Sequence, residues 1–222
     1  MDTSTLIAQL ADVTVRRAVV SPQWHNNVYL LTVASTGDQI LIDAAAQSDK
    51  ISQLIADAAQ DSPHPTRLAA IVTTHRHHDH IGALADIVKL YPAPTYAGSG
   101  DADAITEQTG ITIDRRVTTG DHIRVHGLSL DVISISGHTP GSIVLSLADS
   151  HGPTHLFVGD DLFPGGVGKT WSPQDFASLL HDVRSKLFDV YPDSTLVWPG
   201  HGKHTTLGTQ RPHLAEWEAR GW

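Results

Sequence analysis

The heptapeptide Thr74-His75-Arg76-His77-His78-Asp79-His80 directly follows the short, almost wholly apolar run Leu68–Thr73. A run of this kind is typical of a strand that is buried on both faces of a sheet. Four histidines and one aspartate within six residues rarely serve packing, because buried imidazoles and carboxylates without a partner cost free energy. We therefore predict that a cation is bound at the carboxyl end of this strand.

Three further apolar runs end in the same way. Gly137-His138 follows Asp131–Ser136, Gly159-Asp160 follows Leu156–Val158, and Pro199-Gly200-His201 follows Leu196–Trp198. In each case glycine precedes the polar residue, which lets the backbone turn sharply beside a ligand. Because ligands of open α/β sheets bind beyond the carboxyl ends of the strands, we expect the four strand ends to converge on one site.

The four strand ends together supply more donors than one metal ion needs. They offer five imidazoles and two carboxylates, namely His75, His77, His80, His138 and His201 with Asp79 and Asp160. One tetrahedral zinc takes about four ligands, so these donors suit two metals about 3.5–4 Å apart with a bridging carboxylate and water. We expect the remaining histidines, His78 included, to be ordinary surface or core residues, and Asp161 to face solvent.

Composition narrows the function classes. The 222 residues contain 24 acidic and 15 basic side chains, for a formal charge of −9, and no cysteine. This balance argues against nucleic-acid binding, and the lack of cysteine excludes thiolate nucleophiles, thiolate zinc sites and iron–sulfur clusters. We see neither a signal peptide nor a membrane-spanning run, so we expect a cytoplasmic enzyme with a small-molecule substrate and no membrane partner. The oligomeric state stays open.

Strand-like and helix-like runs alternate along the whole chain, which predicts a layered α/β fold in one domain over residues 1–222. The predicted strands are Val13–Val20, Val28–Ala34, Gln39–Asp43, Leu68–Thr73, His122–Val125, Leu128–Ile135, Ser142–Leu147, His155–Val158 and Thr195–Trp198. The predicted helices are Ser48–Gln60, capped by Ser48, then Ile81–Leu90, Ser99–Gln108, a helix starting at Ser172–Pro173, and Leu214–Ala219.

The ligand pattern resembles the metallo-β-lactamase superfamily, whose signature is His-x-His-x-Asp-His followed by distant His, Asp and His. The resemblance runs from about Asn27 to His201. It implies an αββα four-layer sandwich, with two mixed sheets face to face, helices outside and the metal site along one edge. It also implies that His75, His77 and His138 hold one metal, that Asp79, His80 and His201 hold the other, and that Asp160 bridges them.

Within the superfamily, the sequence looks most like a short form of the hydroxyacylglutathione hydrolase (glyoxalase II) branch. Thr74–His80, Gly137–Ser142, Gly159–Phe163 and Gly165–Lys169 carry this resemblance. It implies a thioesterase that cleaves S-acyl derivatives of a low-molecular-weight thiol, by attack of hydroxide formed at two divalent metals. Zinc is the default metal, although these donors also accept iron or manganese. We expect Asp79 to orient the attacking water and Lys169 to bind an anionic group of the substrate.

Three other interpretations stay open. A persulfide dioxygenase-type enzyme of the same fold would hold one iron on His77 or His75 with His138 and Asp160. A lactone or β-lactam hydrolase would use the same two-metal site on a different substrate. A histidine-rich metal buffer would bind metals without catalysis, but such proteins usually cluster their ligands in tracts. Metal analysis separates these cases, because two metals favour a hydrolase and one iron favours an oxygenase.

Overall fold

Two mixed β-sheets carry the apolar runs, in a computed structural model that describes residues 4–221. The first sheet has the order β1-β2-β3-β4-β5-β6-β7. Its strands are β1 Thr5–Gln9, β2 Val13–Val20, β3 Asn26–Val33, β4 Asp38–Ile42, β5 Arg67–Thr73, β6 Thr95–Gly98 and β7 Arg115–Val117. Strands β1 to β4 pair antiparallel, and β4 to β7 pair parallel.

The second sheet has the order β15-β14-β11-β10-β9-β8. Its strands are β8 His122–Val125, β9 Leu128–Ile135, β10 Ser142–Leu147, β11 His155–Gly159, β14 Leu196–Pro199 and β15 Thr205–Thr206. A small hairpin of β12 Leu162–Phe163 and β13 Gly166–Val167 follows β11. Strands β11 and β14 pair parallel, so their carboxyl ends at Gly159 and Pro199 lie side by side.

Helices cover the outer face of each sheet. They are α1 Ser48–Asp57, α2 His78–Ile81, α3 Leu84–Leu90, α4 Ala102–Thr109, α5 Pro173–Val183, α6 Leu207–Gln210 and α7 Leu214–Arg220. One apolar cluster packs α1, α3 and α4 on the first sheet, a second fills the space between the sheets, and a third packs α5 and α7 on the second sheet. These layers confirm the predicted αββα sandwich. Among residues 4–221, no helix combines the length and apolar composition needed to cross a membrane.

The two sheets bring their strand ends to a common edge. Strands β4 and β5 are parallel neighbours, so the segment after Ile42 lies beside the heptapeptide that follows Thr73. The backbone N–H of Ile143 in β10 donates to the carbonyl of Thr74 at 2.9 Å, which joins the second sheet to the first at this edge. The expected convergence of strand ends is therefore present.

Several local predictions differ from the structure. The helix predicted over Ile81–Leu90 begins earlier, at His78, and is interrupted after Ile81, where the Ala83 N–H donates to the carbonyl of Ala44 at 2.9 Å. Ser48 does not cap α1, because the cap position is Gln47 with a left-handed φ of 52°. The short strands β1, β6 and β7 were missed in the sequence.

Candidate metal centre

Seven predicted donors meet at the shared edge of the sheets. Three groups have their nitrogen or oxygen atoms within 4.8 Å of one another: His75, His77 and His138; His75, His80 and Asp160; and Asp79, His80 and His201. Residues 74–80 follow β5, His138 follows β9, Asp160 follows β11 and His201 follows β14. His78 belongs to none of the three groups and packs edge-on against Trp24, with ring centroids 5.9 Å apart.

In the first group, unprotonated imidazole nitrogens of His75 and His138 face each other. The Nδ1–H of His138 donates to the carbonyl of Lys169 at 2.7 Å. The Nδ1–H of His75 donates to Thr74 Oγ1 at 3.1 Å, because that hydroxyl itself donates to Asp43 at 2.8 Å. The Nε2 atoms of His75 and His138 therefore carry lone pairs, yet they lie 3.3 Å apart. Such facing lone pairs repel each other, so this donor set fits a divalent cation between the rings.

The second group, Asp79, His80 and His201, has the same arrangement of imidazoles with one carboxylate added. The Nδ1–H of His80 donates to Asp43 Oδ2 at 2.8 Å, and the Nδ1–H of His201 donates to the carbonyl of Trp24 at 2.7 Å. Their Nε2 atoms lie 3.3 Å apart, and that of His201 is 3.2 Å from Asp79 Oδ2. Two nitrogens and a carboxylate aimed at one point fit a second divalent cation.

Asp160 lies between the two groups. Its Oδ1 is 3.3 Å from His80 Nε2, and its Oδ2 is 3.4 Å from His201 Nε2 and 3.9 Å from His138 Nε2. Oδ1 is buried and accepts no hydrogen bond from any residue between 4 and 221. A buried carboxylate oxygen without a donor is costly unless a cation neutralises it. This geometry suits a ligand shared by two metals.

Burial keeps the three imidazoles of the first group, His75, His77 and His138, neutral. It is the main cause that lowers the pKa of His75, His77 and His138, and it brings the pKa of His77 to about 4. Neighbouring imidazoles add to the effect at His75 and His77. A neutral imidazole is the form that ligates a metal, so this group is ready to bind one without losing protons.

The second group instead holds protons when no cation is bound. Burial lowers the pKa of His201, but hydrogen bonds to Asp160 and Asp79 outweigh it and raise the value to about 9. The pKa of His80 is also raised, because the charges of Asp160 and Asp43 exceed the effect of burial. In return, these histidines hold the pKa of Asp79 and Asp160 well below the ordinary range despite burial. Without a cation, protons on His80 and His201 occupy the space between these side chains and the carboxylates where the cation would bind.

Two supporting residues were missed in the sequence. Asp43 is buried and accepts hydrogen bonds from His80 and from the N–H and hydroxyl of Thr74. Asn26 is fully buried and donates through Nδ2 to Asp79 Oδ2 at 3.0 Å. Asp43 ends a predicted strand, which is the signal that identified the ligands, and it could have been found in that way.

The glycines that precede the ligands have two uses. Gly137 and Gly159 adopt φ values of 129° and 48°, which confirms the predicted sharp turns. Gly200 provides space instead, since a Cβ there would overlap Asp160 Oδ1 and lie 2.6 Å from His80 Cε1. Gly168, in the segment that resembles the hydrolase branch, has the same use, because its Cβ would overlap the carbonyl of Asp160.

Two further predictions have different outcomes. Asp161 does not face solvent; it is 1% exposed, and burial with the charge of Asp160 raises its pKa well above the ordinary value. The prediction was wrong because the Asp161 N–H donates back to the carbonyl of Val158 and turns the chain inward. Lys169 is exposed near the centre, with Nζ 4.5 Å from the ring centroid of Trp171, whose ring centroid lies 6.3 Å from that of His77.

Comparison with known families shows to which superfamily the chain belongs. Residues 22–201 match the family described as the metallo-beta-lactamase superfamily. The chain belongs to this superfamily. The match covers all seven donors, and it confirms the resemblance seen in the sequence.

A relative with a similar sequence supports the branch, and two solved structures share the fold. A hydroxyacylglutathione hydrolase of Aeromonas salmonicida is 36% identical over 155 residues, covering 67% of this chain and 56% of that protein. The chain therefore spans little more than half the length of this relative. The crystal structure of ETHE1 from Myxococcus xanthus aligns with a TM-score of 0.76 at 26% identity, covering 92% of this chain and 84% of that one. TTHA1623 in a di-iron-bound form aligns with a TM-score of 0.67 at 28% identity, covering 88% and 96%.

Proposed function

We propose that this superfamily member is a dinuclear metal-dependent hydrolase that cleaves thioesters of a low-molecular-weight thiol. The observation that carries the proposal is the pair of ligand groups on either side of Asp160, each complete enough for one cation. A mononuclear oxygenase would need only two imidazoles and a carboxylate. The additional group of Asp79, His80 and His201 favours two metals over one.

The residues divide into two ligand sets. His75, His77 and His138 would hold one metal, Asp79, His80 and His201 the other, and Asp160 both. Two divalent cations held there would supply a hydroxide at neutral pH and polarise the substrate carbonyl. Zinc suits the imidazole and carboxylate donors, and iron is the alternative that the di-iron form of TTHA1623 suggests.

Asp79 has a second role beyond ligation. Hydrogen bonds from His201 and Asn26 keep its carboxylate ionised despite burial, and its side chain is 14% exposed at the open side of the centre. An ionised carboxylate in this position accepts a hydrogen bond from a water molecule and turns the water oxygen toward a carbonyl carbon. Asp79 is therefore our candidate catalytic residue.

A site built of metal ligands suits a thioester substrate, because a thiolate leaving group needs little help from a general acid. A thiol has a pKa of about 8.5, so a thiolate leaves near neutral pH without a proton from the protein. The Aeromonas relative is named as a hydroxyacylglutathione hydrolase, which suggests hydroxyacyl groups as the substrates of this chain too. The alignment covers 56% of that relative, so we take glutathione as one candidate carrier among several small thiols.

Lys169 would bind an anionic group of the substrate at the rim of the site. Its backbone carbonyl holds His138, and its ammonium group packs on Trp171 within reach of solvent. The Lys169→Ala variant should raise KM more than it lowers kcat, because the lost contact is equal in ground and transition states. An unchanged KM would leave Lys169 as an exposed surface residue.

The test joins metal analysis to a substrate panel. Purified protein should contain two metals per chain and hydrolyse S-lactoylglutathione or S-acyl N-acetylcysteamine, and a chelator should abolish the activity. His201→Ala should lose both one metal and the activity, whereas His122→Ala should keep both, because His122 is an exposed histidine of β8. One iron per chain with oxygen consumption, and no turnover of any thioester, would contradict the hydrolase.

A further inference from the structure

A cavity of about 400 Å³ opens beside the first ligand group. His77 and His138 form part of its wall, and Arg76, Trp171, Asp175 and Ser178 line the rest together with the Ser136–Pro140 segment. An occupant of this cavity therefore contacts the imidazoles that would hold a metal. The cavity is the natural place for the part of a substrate next to the reacting carbonyl.

The backbone of Arg76 is held in place at this cavity. Its N–H donates to Asp101 Oδ2 at 3.0 Å, and its carbonyl accepts a hydrogen bond from Gln108 Nε2 at 3.1 Å. Because Arg76 also lies between two candidate ligands, His75 and His77, its side chain leaves the backbone at a fixed point beside the metal centre.

The guanidinium of Arg76 forms a long ion pair with Asp101. The carboxylate nearest to it, Asp101 Oδ1, is 3.8 Å from Nε. Asp101 is fully buried and already accepts hydrogen bonds from Thr139 Oγ1 at 2.6 Å and from the Gly141 N–H at 3.0 Å. The side chain of Arg76 is 39% exposed, so its N–H donors are available to a planar anion such as a carboxylate.

Two acidic and two basic side chains lie around the cavity, and Asp101, 3.8 Å from Arg76 Nε, is one of the acidic ones. Asp175 is the opposing anion on the cavity wall, but it already accepts a hydrogen bond from Ser172 Oγ at 2.7 Å in the first turn of α5. Lys169 adds a second cation just behind Trp171. Because the two anions offset the two cations, it is the exposed N–H donors of the Arg76 guanidinium beside the metal centre that favour an anionic substrate group.

We propose that Arg76 is a specificity-determining residue that binds a carboxylate on the substrate of the thioesterase. This inference rests on the proposed function and adds the substrate class: thioesters with a carboxylate in the acyl chain or in the thiol. Arg76 lies beside one metal set, so the bound carboxylate positions the thioester carbonyl at the centre. Neutral thioesters lack this contact and react more slowly.

The experiment compares thioesters with acyl chains of equal carbon number that differ in charge. Glutaryl N-acetylcysteamine carries the carboxylate in the acyl chain, and valeryl N-acetylcysteamine has no carboxylate. Valeryl 3-mercaptopropionate carries the carboxylate in the thiol. Each kcat/KM is measured after subtracting spontaneous hydrolysis, with wild type, Arg76→Gln and the control Arg115→Gln. Arg115 is an exposed arginine of β7, outside the metal centre. Elemental analysis of each variant confirms that the metals are retained.

We expect the wild type to prefer one of the two anionic thioesters over valeryl N-acetylcysteamine. Arg76→Gln should reduce that preference about tenfold or more, the value of one charge-assisted hydrogen-bonded pair, while Arg115→Gln should leave it unchanged. Equal turnover of all three thioesters by the wild type would overturn the inference and leave the hydrolase proposal intact. An equal loss for neutral and anionic substrates in Arg76→Gln would overturn it as well. No turnover of any thioester would overturn both proposals.

Discussion

Replacing Asp43 by asparagine should weaken one metal position and spare the other. Asp43 Oδ1 accepts from the Thr74 N–H at 2.7 Å, and Oδ2 accepts from Thr74 Oγ1 and His80 Nδ1 at 2.8 Å each. The asparagine amide keeps the hydrogen bond from the Thr74 N–H to Oδ1 only if its NH₂ group takes the place of Oδ2. The NH₂ group then faces the Nδ1–H of His80, and two donors cannot bond to each other.

His80 can relieve this clash by moving its proton to Nε2. That nitrogen is the one aimed at Asp160 and His201, so the shifted tautomer cannot ligate a metal. The loss is one hydrogen bond to a charged, buried acceptor, or about 1.5–3 kcal/mol. This corresponds to a loss of about 10- to 100-fold in affinity for the metal at Asp79, His80 and His201. Asparagine tolerates the φ of 61° at this position, so the backbone need not move.

Competition with a chromophoric chelator measures the two dissociation constants separately. The matched control is Asp38→Asn, because Asp38 is a buried carboxylate at the other end of β4 that also contacts a histidine, His126, at 3.2 Å. The control should lose stability and keep both metal affinities. If Asp43→Asn leaves both affinities unchanged, or weakens both equally, the tautomer argument is wrong.

Three other outcomes follow from the same contacts. In Gly200→Ala the new Cβ displaces Asp160 and His80, so calorimetric metal titration should show at least one site lost; two sites of wild-type affinity would contradict the close packing. At pH 7 the Asp79–His80–His201 set should release protons on metal binding, since the pKa of His201 is about 9, and its affinity should rise with pH up to that value. The His75–His77–His138 set should release none, since the pKa of His77 is about 4; calorimetry in buffers of different ionisation enthalpy counts the protons, and equal release at both sets would refute the assignment. Chelation should lower Tm by about 10–20 °C for two metals each held at 100 times Kd and leave the far-UV circular dichroism unchanged, because no donor belongs to the three apolar clusters; loss of the secondary structure would contradict this.

The candidate ligands could be predicted from the sequence because each is encoded locally. A buried strand followed within a few residues by histidine or aspartate is a short pattern, and the carboxyl edge of a sheet collects such residues whatever the details of pairing. His138 and His201 illustrate this, since each is identified by its own strand alone. The layered fold followed from the alternation of strands and helices in the same way.

The residues that support the ligands depend on long-range pairing, which the sequence does not show. Asp43 reaches His80 only because β4 lies parallel and next to β5, with Ile42 opposite Val72. Asn26 reaches Asp79 because β3 begins beside the loop of His201, where the Asn27 N–H donates to the carbonyl of Gly200 at 2.7 Å. Strand order is a property of the whole sheet, so neither contact could be inferred from a local pattern, although the position of Asp43 at a strand end could.

The charge of the site gives an independent reason to expect two cations rather than one. Asp43, Asp79 and Asp160 contribute three negative charges in a largely buried volume. Burial raises the pKa of Asp161, which disfavours a fourth negative charge there. One divalent cation among neutral imidazoles would leave one negative charge uncompensated, and the site would have to retain a proton on His80 or His201. Two divalent cations leave one positive charge, which a single hydroxide ion balances. In a volume of low dielectric constant the balanced arrangement is the more stable one, and it is also the arrangement that hydrolysis requires.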